Sequence, residues 1–178
     1  MVDGLSLELL KYSSVALSVG LSALGALIGI SWSSKAIAGA GSEKPEVASR
    51  NIISVVLAEA LAIYGLIVGL LLILKMGSID SLGKALMAFT AGCIMGFTAL
   101  ISGLGIGSCG RSLALGSARR PEIFSRLVLG VVLCEAIGLY GLVTSLLLII
   151  FIEIFPLQLT CNINNTKASP LLVTELKI

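Results

Sequence analysis

Glu59 and Glu135 stand 76 residues apart, each the lone charge in a long apolar run. Between Arg50 and Lys75 the only charged residue is Glu59, and between Arg126 and Glu153 the only one is Glu135. A carboxylate held at membrane depth costs about 3 kcal/mol or more, and by default it marks a path for an ion or a proton. One helical turn from Glu59 lie Val55, Val56, Ala62 and Ile63; around Glu135 lie Val131, Val132, Gly138 and Leu139. None offers a ligand oxygen or a cationic partner, and such surroundings favour the protonated, neutral carboxyl. A hard cation such as sodium would want several oxygen ligands. The apolar interiors of the runs hold no Asn or Gln, and only Ser22, Thr98 and Ser102 could assist from a facing helix. A proton needs the carboxyl alone, so H+ is the expected cargo, with no metal site and no cofactor. The plainer alternative is a neutral carboxyl that serves only packing. It fits one isolated glutamate better than two in matching positions, each about 12 Å inside the end of its run at 1.5 Å per residue.

Tyr64 and Tyr140 follow the two glutamates by five residues. Five residues turn a helix by about 140°, so neither tyrosine shares the face of its own glutamate. Packing or interface aromatics are the first explanation. A hydrogen bond to the carboxyl of an adjacent helix is the second.

The elements that must carry these groups follow from the charge gaps. Of the 178 residues only 12% are charged and 57% are apolar, whereas a soluble domain carries about a quarter charged residues. Charge is absent between Lys11 and Lys35 and between Lys84 and Arg111, which adds two further runs of more than 20 residues. About 20 apolar residues in a helix cross a hydrocarbon core of about 30 Å. Such runs show no alternation of period two and are helical, since only helices and closed barrels satisfy their backbones in lipid. The expected fold is an all-α membrane protein of four transmembrane helices, at about 12–38, 50–76, 84–115 and 122–154. They pair as two tandem helical hairpins, residues 1–80 and 81–155, followed by a tail over 156–178.

The two hairpins are copies. Shifting the chain by 76 residues lays Pro45-Glu46-Val47-Ala48-Ser49-Arg50 on Pro121-Glu122-Ile123-Phe124-Ser125-Arg126. Without a gap, Val55-Val56-Leu57-Ala58-Glu59-Ala60 then falls on Val131-Val132-Leu133-Cys134-Glu135-Ala136, and Tyr64-Gly65-Leu66 on Tyr140-Gly141-Leu142. Residues 45–73 match 121–149 at 16 of 29 positions, and the matches include Pro, Glu, Ser, Arg, Tyr and Gly, which apolar composition alone would not align. The repeat is parallel, because an inverted repeat needs an odd number of spans in each half.

The first helix of each hairpin differs in kind from the second. One carries Ser18, Ser22, Gly25, Gly29, Ser33, Ala36 and Ala40; the other carries Ala85, Ala88, Gly92, Gly96, Ala99, Gly103, Gly107, Gly110 and Ala114. Steps of three and four place each set on one face. Small faces let helix backbones approach closely in lipid. Helices 1 and 3 should therefore form a tight inner layer, with the Leu-rich helices 2 and 4 outside.

All five arginines, with Lys35 and Lys44, lie in or beside the segments that follow helices 1 and 3. By the positive-inside rule, loops 39–50 and 116–126 are expected in the cytosol and both termini in the lumen. The start, Met1-Val2-Asp3, lacks the basic region of a cleavable signal peptide, so the first helix is expected to be retained. Cys93, Cys109 and Cys134 fall inside spans and only Cys161 in the tail, which excludes a disulfide framework; there is no histidine. The chain has no intramembrane Lys or Arg to discharge its acids, so a partner must supply the cation and the water access.

Ala58-Glu59-Ala60-Leu61-Ala62-Ile63-Tyr64-Gly65-Leu66 and Cys134-Glu135-Ala136-Ile137-Gly138-Leu139-Tyr140-Gly141-Leu142 resemble the carboxyl-bearing helices of V-type ATPase proteolipids. The resemblance extends over about residues 12–152 and includes the Gly-striped helices and the Lys44-Pro45-Glu46 loop. It implies a component of the rotor ring, surrounded by lipid and other proteolipids. Glu135 and Glu59 would be the proton carriers, loaded and unloaded against the a-subunit of the ATPase, with Tyr64 and Tyr140 as possible support. Gly25, Gly29, Gly92, Gly96, Gly103, Gly107 and Gly110 would pack the inner layer. The d-subunit and the central stalk would couple the ring to ATP hydrolysis in the soluble sector, and the proteolipid would hold no catalytic site of its own. No nucleic-acid partner is implied, and the membrane would be vacuolar or another acidic endomembrane. Glu59, Ser33-Ser34 and the Arg50-Asn51-Ile52-Ile53-Ser54 run are more similar to the c double-prime proteolipids than to the c proteolipids. The position of Glu135 and the absence of an extra N-terminal span are more similar to the c proteolipids.

Two other classes stay open on the residues alone. A small proton-coupled multidrug transporter also uses a buried glutamate in four spans, but Trp32 is the sole tryptophan for a drug pocket. A structural tetraspan accounts for the small-residue faces and leaves the paired glutamates without a role. In the tail, Asn164-Asn165-Thr166 is a glycosylation sequon and Leu171-Leu172-Val173 could dock on a neighbouring helix.

Overall fold

The computed structural model describes the backbone of residues 2–174 and the side chains of residues 4–152 and Ile154. It is helical almost throughout. In chain order the helices are α1 (Val2–Glu43), α2 (Pro45–Asn51), α3 (Ile53–Lys75), α4 (Leu82–Arg119) and α5 (Phe124–Thr174). Single 3-10 turns, Met76–Ser78 and Pro121–Ile123, make the corners before α4 and α5. Among the described residues, four stretches are long and apolar enough to cross a membrane: Gly4–Glu43, Pro45–Ser78, Leu82–Arg119 and Pro121–Ile152. The second of these is α2 and α3, joined at Ile52.

The corners fall where the backbone chemistry demands them. Pro45 opens α2 and Pro121 opens the second 3-10 turn, positions where a missing N–H leaves no bond unmade. Ser81 caps α4, its hydroxyl accepting from the Lys84 amide at 3.4 Å. Lys75 closes α3 and Arg119 closes α4, cations placed against the negative ends of the helix dipoles. α5 runs on through Pro156 to Thr174, beyond the end of the fourth predicted span. The sequon at Asn164 and the Leu171–Val173 segment lie on this extension, and their side chains are outside the described residues.

α1 and α4 form the most extensive helix pair, and α3 and α5 flank them, touching each other and α4. This is the inner and outer arrangement that the small-residue faces predict. A β-carbon built on Gly25 would stand 2.5 Å from the Ala99 carbonyl oxygen, and one on Gly96 2.5 Å from that of Leu17. On Gly103 it would collide with the Gly25 carbonyl, and on Gly92 with that of Ser14. Gly29 and Gly107 face each other, a β-carbon on Gly107 lying 3.2 Å from the Gly29 α-carbon. One on Gly110 would collide with the Ser33 hydroxyl. Any side chain at these points would push the two backbones apart, and dispersion contacts that hold helices together in lipid would be lost.

Hydroxyls bond across the same layers. Ser18 donates to the Gly65 carbonyl at 3.1 Å, tying α1 to α3. Ser145 donates to the Ala91 carbonyl at 2.9 Å, and Ser102 to the Cys134 carbonyl at 2.7 Å, tying α5 to α4. At the arginine-rich end the buried Asn51 donates to the Val47 carbonyl at 2.7 Å and to the Ser117 hydroxyl at 2.9 Å. The Lys44 ammonium donates to the Ala118 carbonyl at 2.8 Å. These bonds fix the two repeat-related corners against each other, and with them the axial level of α3 beside α5.

Candidate proton-binding site

The site forms where α3 meets α5. Leu57, Leu61, Tyr64 and Val68 rise along one face of α3 in steps of four, three and four, and Leu61 and Val68 are fully buried. Facing them on α5 are Val131, Glu135 and Gly138, all buried. A β-carbon on Gly138 would collide with the Leu61 side chain, so this glycine lets the outer helices close upon each other. In the resulting gap the Tyr64 hydroxyl donates to Oε1 of Glu135 at 2.8 Å.

Glu135 is 8% exposed, held among aliphatic side chains with this phenol as its neighbour. The phenol can donate to the carboxylate or accept from the protonated acid, since a hydroxyl does both. One carboxyl can therefore stay hydrogen-bonded in either protonation state, as a site that must load and unload a proton requires. Tyr64 is thus a carboxyl partner rather than only a packing aromatic. The pairing was hidden from a view along one helix, because Tyr64 does not face Glu59 and its partner comes from the other hairpin.

The three hydroxyls considered as helpers divide differently. Ser102 bonds the carbonyl of Cys134, directly before Glu135, and so orients the backbone that carries the acid. Thr98 donates to Ile94 and Met95 in its own helix, at 2.7 and 3.1 Å. Ser22 is buried, has no hydrogen-bond partner among the described residues and packs against Gly65. Cys109 and Cys134 bring their sulfurs to 3.8 Å between α4 and α5.

Glu59 departs from expectation. It lies exposed on the outer surface of the chain, although its repeat mate Glu135 is buried. The reason is topological: α3 covers the Glu135 face of α5, and among the described residues no helix covers the corresponding face of α3. Tyr140 is likewise 69% exposed. The structure brings Glu135 and Tyr64 together, and leaves Glu59 and Tyr140 apart on opposite outer flanks.

Known proteins share this framework. The family model for the C subunit of ATP synthase matches twice, at residues 14–72 and 89–148, one match per hairpin. The human 16 kDa proteolipid of the V-type proton ATPase, of the c kind, is 37% identical over 127 residues, 71% of this chain and 82% of that protein. The chain belongs to the V-type ATPase proteolipids. The c' proteolipid of the Saccharomyces cerevisiae V-type proton ATPase is 35% identical over 77% of this chain and 85% of its own length. The c''2 proteolipid of the Arabidopsis thaliana V-type proton ATPase is also 35% identical, over 75% of this chain and 80% of its own. Proteolipids of all three kinds therefore match at nearly equal identity. Membership accounts for both the doubled hairpin and the four apolar helices, and makes this proteolipid an integral membrane protein.

Proposed function

We propose that this proteolipid carries protons in the rotor ring of a V-type ATPase, with Glu135 as the carrier and Tyr64 as its hydrogen-bond partner. The observation that carries the reading is the 2.8 Å bond from Tyr64 to a carboxyl buried at span depth. A proton is favoured over sodium because the side-chain partner of Glu135 among the described residues is one phenol, not a cage of oxygens. Release needs an opposing cation, and no Lys or Arg lies between Arg50 and Lys75 or between Arg126 and Glu153, the runs that carry the two glutamates. The a-subunit would supply it as the ring turns, driven through the d-subunit and the central stalk by ATP hydrolysis elsewhere.

The arginine-rich corners at 39–50 and 116–126 would face the cytosol, with both termini in the lumen of a vacuole or other acidic compartment. Glu59 in the first hairpin favours a double-prime kind of proteolipid over the plain c kind. The test is ATP-driven acidification by complexes carrying Glu135→Gln. Assembly with loss of pumping supports the proposal, while normal pumping by the assembled variant refutes it. A structural tetraspan would tolerate Gln, and a multidrug transporter would lose drug export rather than acidification.

A further inference from the structure

The sulfurs of Cys109 on α4 and Cys134 on α5 stand 3.8 Å apart. Each lies over a glycine of the facing helix. A β-carbon on Gly105, one turn before Cys109, would stand 2.9 Å from the Cys134 sulfur and 3.2 Å from its β-carbon. One on Gly130, one turn before Cys134, would stand 3.8 Å from the Cys109 sulfur. The four residues interleave, and the two glycines keep both backbones close to the sulfurs. Joining the thiols therefore asks for rotation of two side chains rather than a new approach of the helices.

Packing alone does not call for sulfur at this contact. In the first hairpin the mates of Cys109 and Cys134 are Ser33 and Ala58. Gly29, the mate of Gly105, meets the Ala58 β-carbon as Gly105 meets Cys134. The same helix contact is thus built there with a hydroxyl and a methyl. The paired thiols belong to the second hairpin, whose α5 carries the buried Glu135.

Two adjacent thiols can be bridged by a metal ion or joined to each other. Structural zinc takes four ligands, and among the described residues no group of three or more His, Cys, Asp or Glu could hold a metal ion. Copper(I) between two thiolates leaves a net negative charge, which is costly at membrane depth. A disulfide is neutral. Cys109 and Cys134 are both partly exposed on the spans, within reach of an oxidant dissolved in lipid.

We infer that Cys109 and Cys134 form a redox modification site, a dithiol that a lipid-soluble hydroperoxide closes to a disulfide between α4 and α5. One sulfur attacks the peroxide, whose O–O bond breaks to leave a sulfenic acid and an alcohol. The second sulfur displaces the sulfenic hydroxyl, forming the S–S bond and releasing water. Two electrons pass from the thiols to the peroxide, and the two thiol protons end in the alcohol and the water. A small dithiol reverses the bond by exchange. The disulfide fixes α5 to α4 at the residue directly before Glu135, where Ser102 already holds the Cys134 carbonyl at 2.7 Å. With its backbone held twice, the carboxyl moves less freely between partners and proton transfer slows. This effect on transfer rests on the function proposed above.

The native complex in vesicles is treated with tert-butyl hydroperoxide, its free thiols are blocked with N-ethylmaleimide, and its peptides are mapped by mass without reduction. Cys109 and Cys134 should appear joined and Cys93 blocked. ATP-driven pumping should fall several-fold and return with dithiothreitol. Peroxide also meets thiols elsewhere in the complex, so the reading is the difference from Cys109→Ser, which carries the residue that the first hairpin uses at Ser33. That variant should pump as the native complex does before treatment and lose less after it; Cys109→Ala should behave alike. Both cysteines blocked after peroxide would overturn the inference. So would a joined pair with equal slowing in the native complex and the variants. Loss of pumping in Glu135→Gln stands in either case, so the dithiol site and the Glu135 carrier fail separately.

Discussion

Tyr64 on α3 and Glu135 on α5 meet at 2.8 Å although 71 residues separate them in the chain. The bond joins the two hairpins at the level of Glu135, the one buried charged group among the described residues of α5. Its position depends on how closely the outer helices approach, and that depends on Gly138 beneath Leu61. The site is therefore a product of helix packing as much as of the two residues that form it.

Loss of the phenol hydroxyl should change proton handling before it changes assembly. Tyr64→Phe keeps the ring and its packing and deletes the hydroxyl bonded to Glu135. Proton pumping per assembled complex should fall several-fold at an unchanged yield of complex. Pumping at the wild-type rate would show that the bond has no part in proton handling.

The inner layer should tolerate no side chain at its closest points. Gly103→Ala forces a methyl into the Gly25 carbonyl, and overpacking of this kind costs about 1–3 kcal/mol. The yield of assembled complex should drop, with a lower melting temperature in detergent. Gly39→Ala, where a β-carbon meets nothing within 4 Å, should leave both unchanged.

Asn51 should matter to stability and little to chemistry. Asn51→Ala removes the bonds to the Val47 carbonyl and the Ser117 hydroxyl at a buried position. The expected cost is about 1–3 kcal/mol, seen as a lower melting temperature of the complex. The pumping rate per assembled complex should stay close to wild type.

Much of the architecture was legible in the residues. Four charge-poor runs gave the spans, and the three- and four-residue steps of Ser22, Gly25, Gly29, Gly103, Gly107 and Gly110 gave the pair of helices that touch most closely. Periodicity could do this because backbone approach in lipid depends on local side-chain size. The partner of Glu135 was not legible in the same way. Periodicity orients Tyr64 only relative to its own helix, and which face of α3 meets α5 is set by the packing of all four spans. The exposure of Glu59 was missed for a related reason. The repeat predicts equal environments for both glutamates, but a two-hairpin chain has open flanks, and these fall on Glu59 and Tyr140. The length of α5 beyond residue 154 was hidden by Pro156, which a helix can carry at the loss of one backbone hydrogen bond.

The most direct test of the proton-carrier role is to map carbodiimide adducts on the native complex while following ATP-driven pumping. The account predicts that Glu135 is modified faster at acid pH and that pumping falls in step with its modification. Pumping that persists with Glu135 fully modified would contradict it.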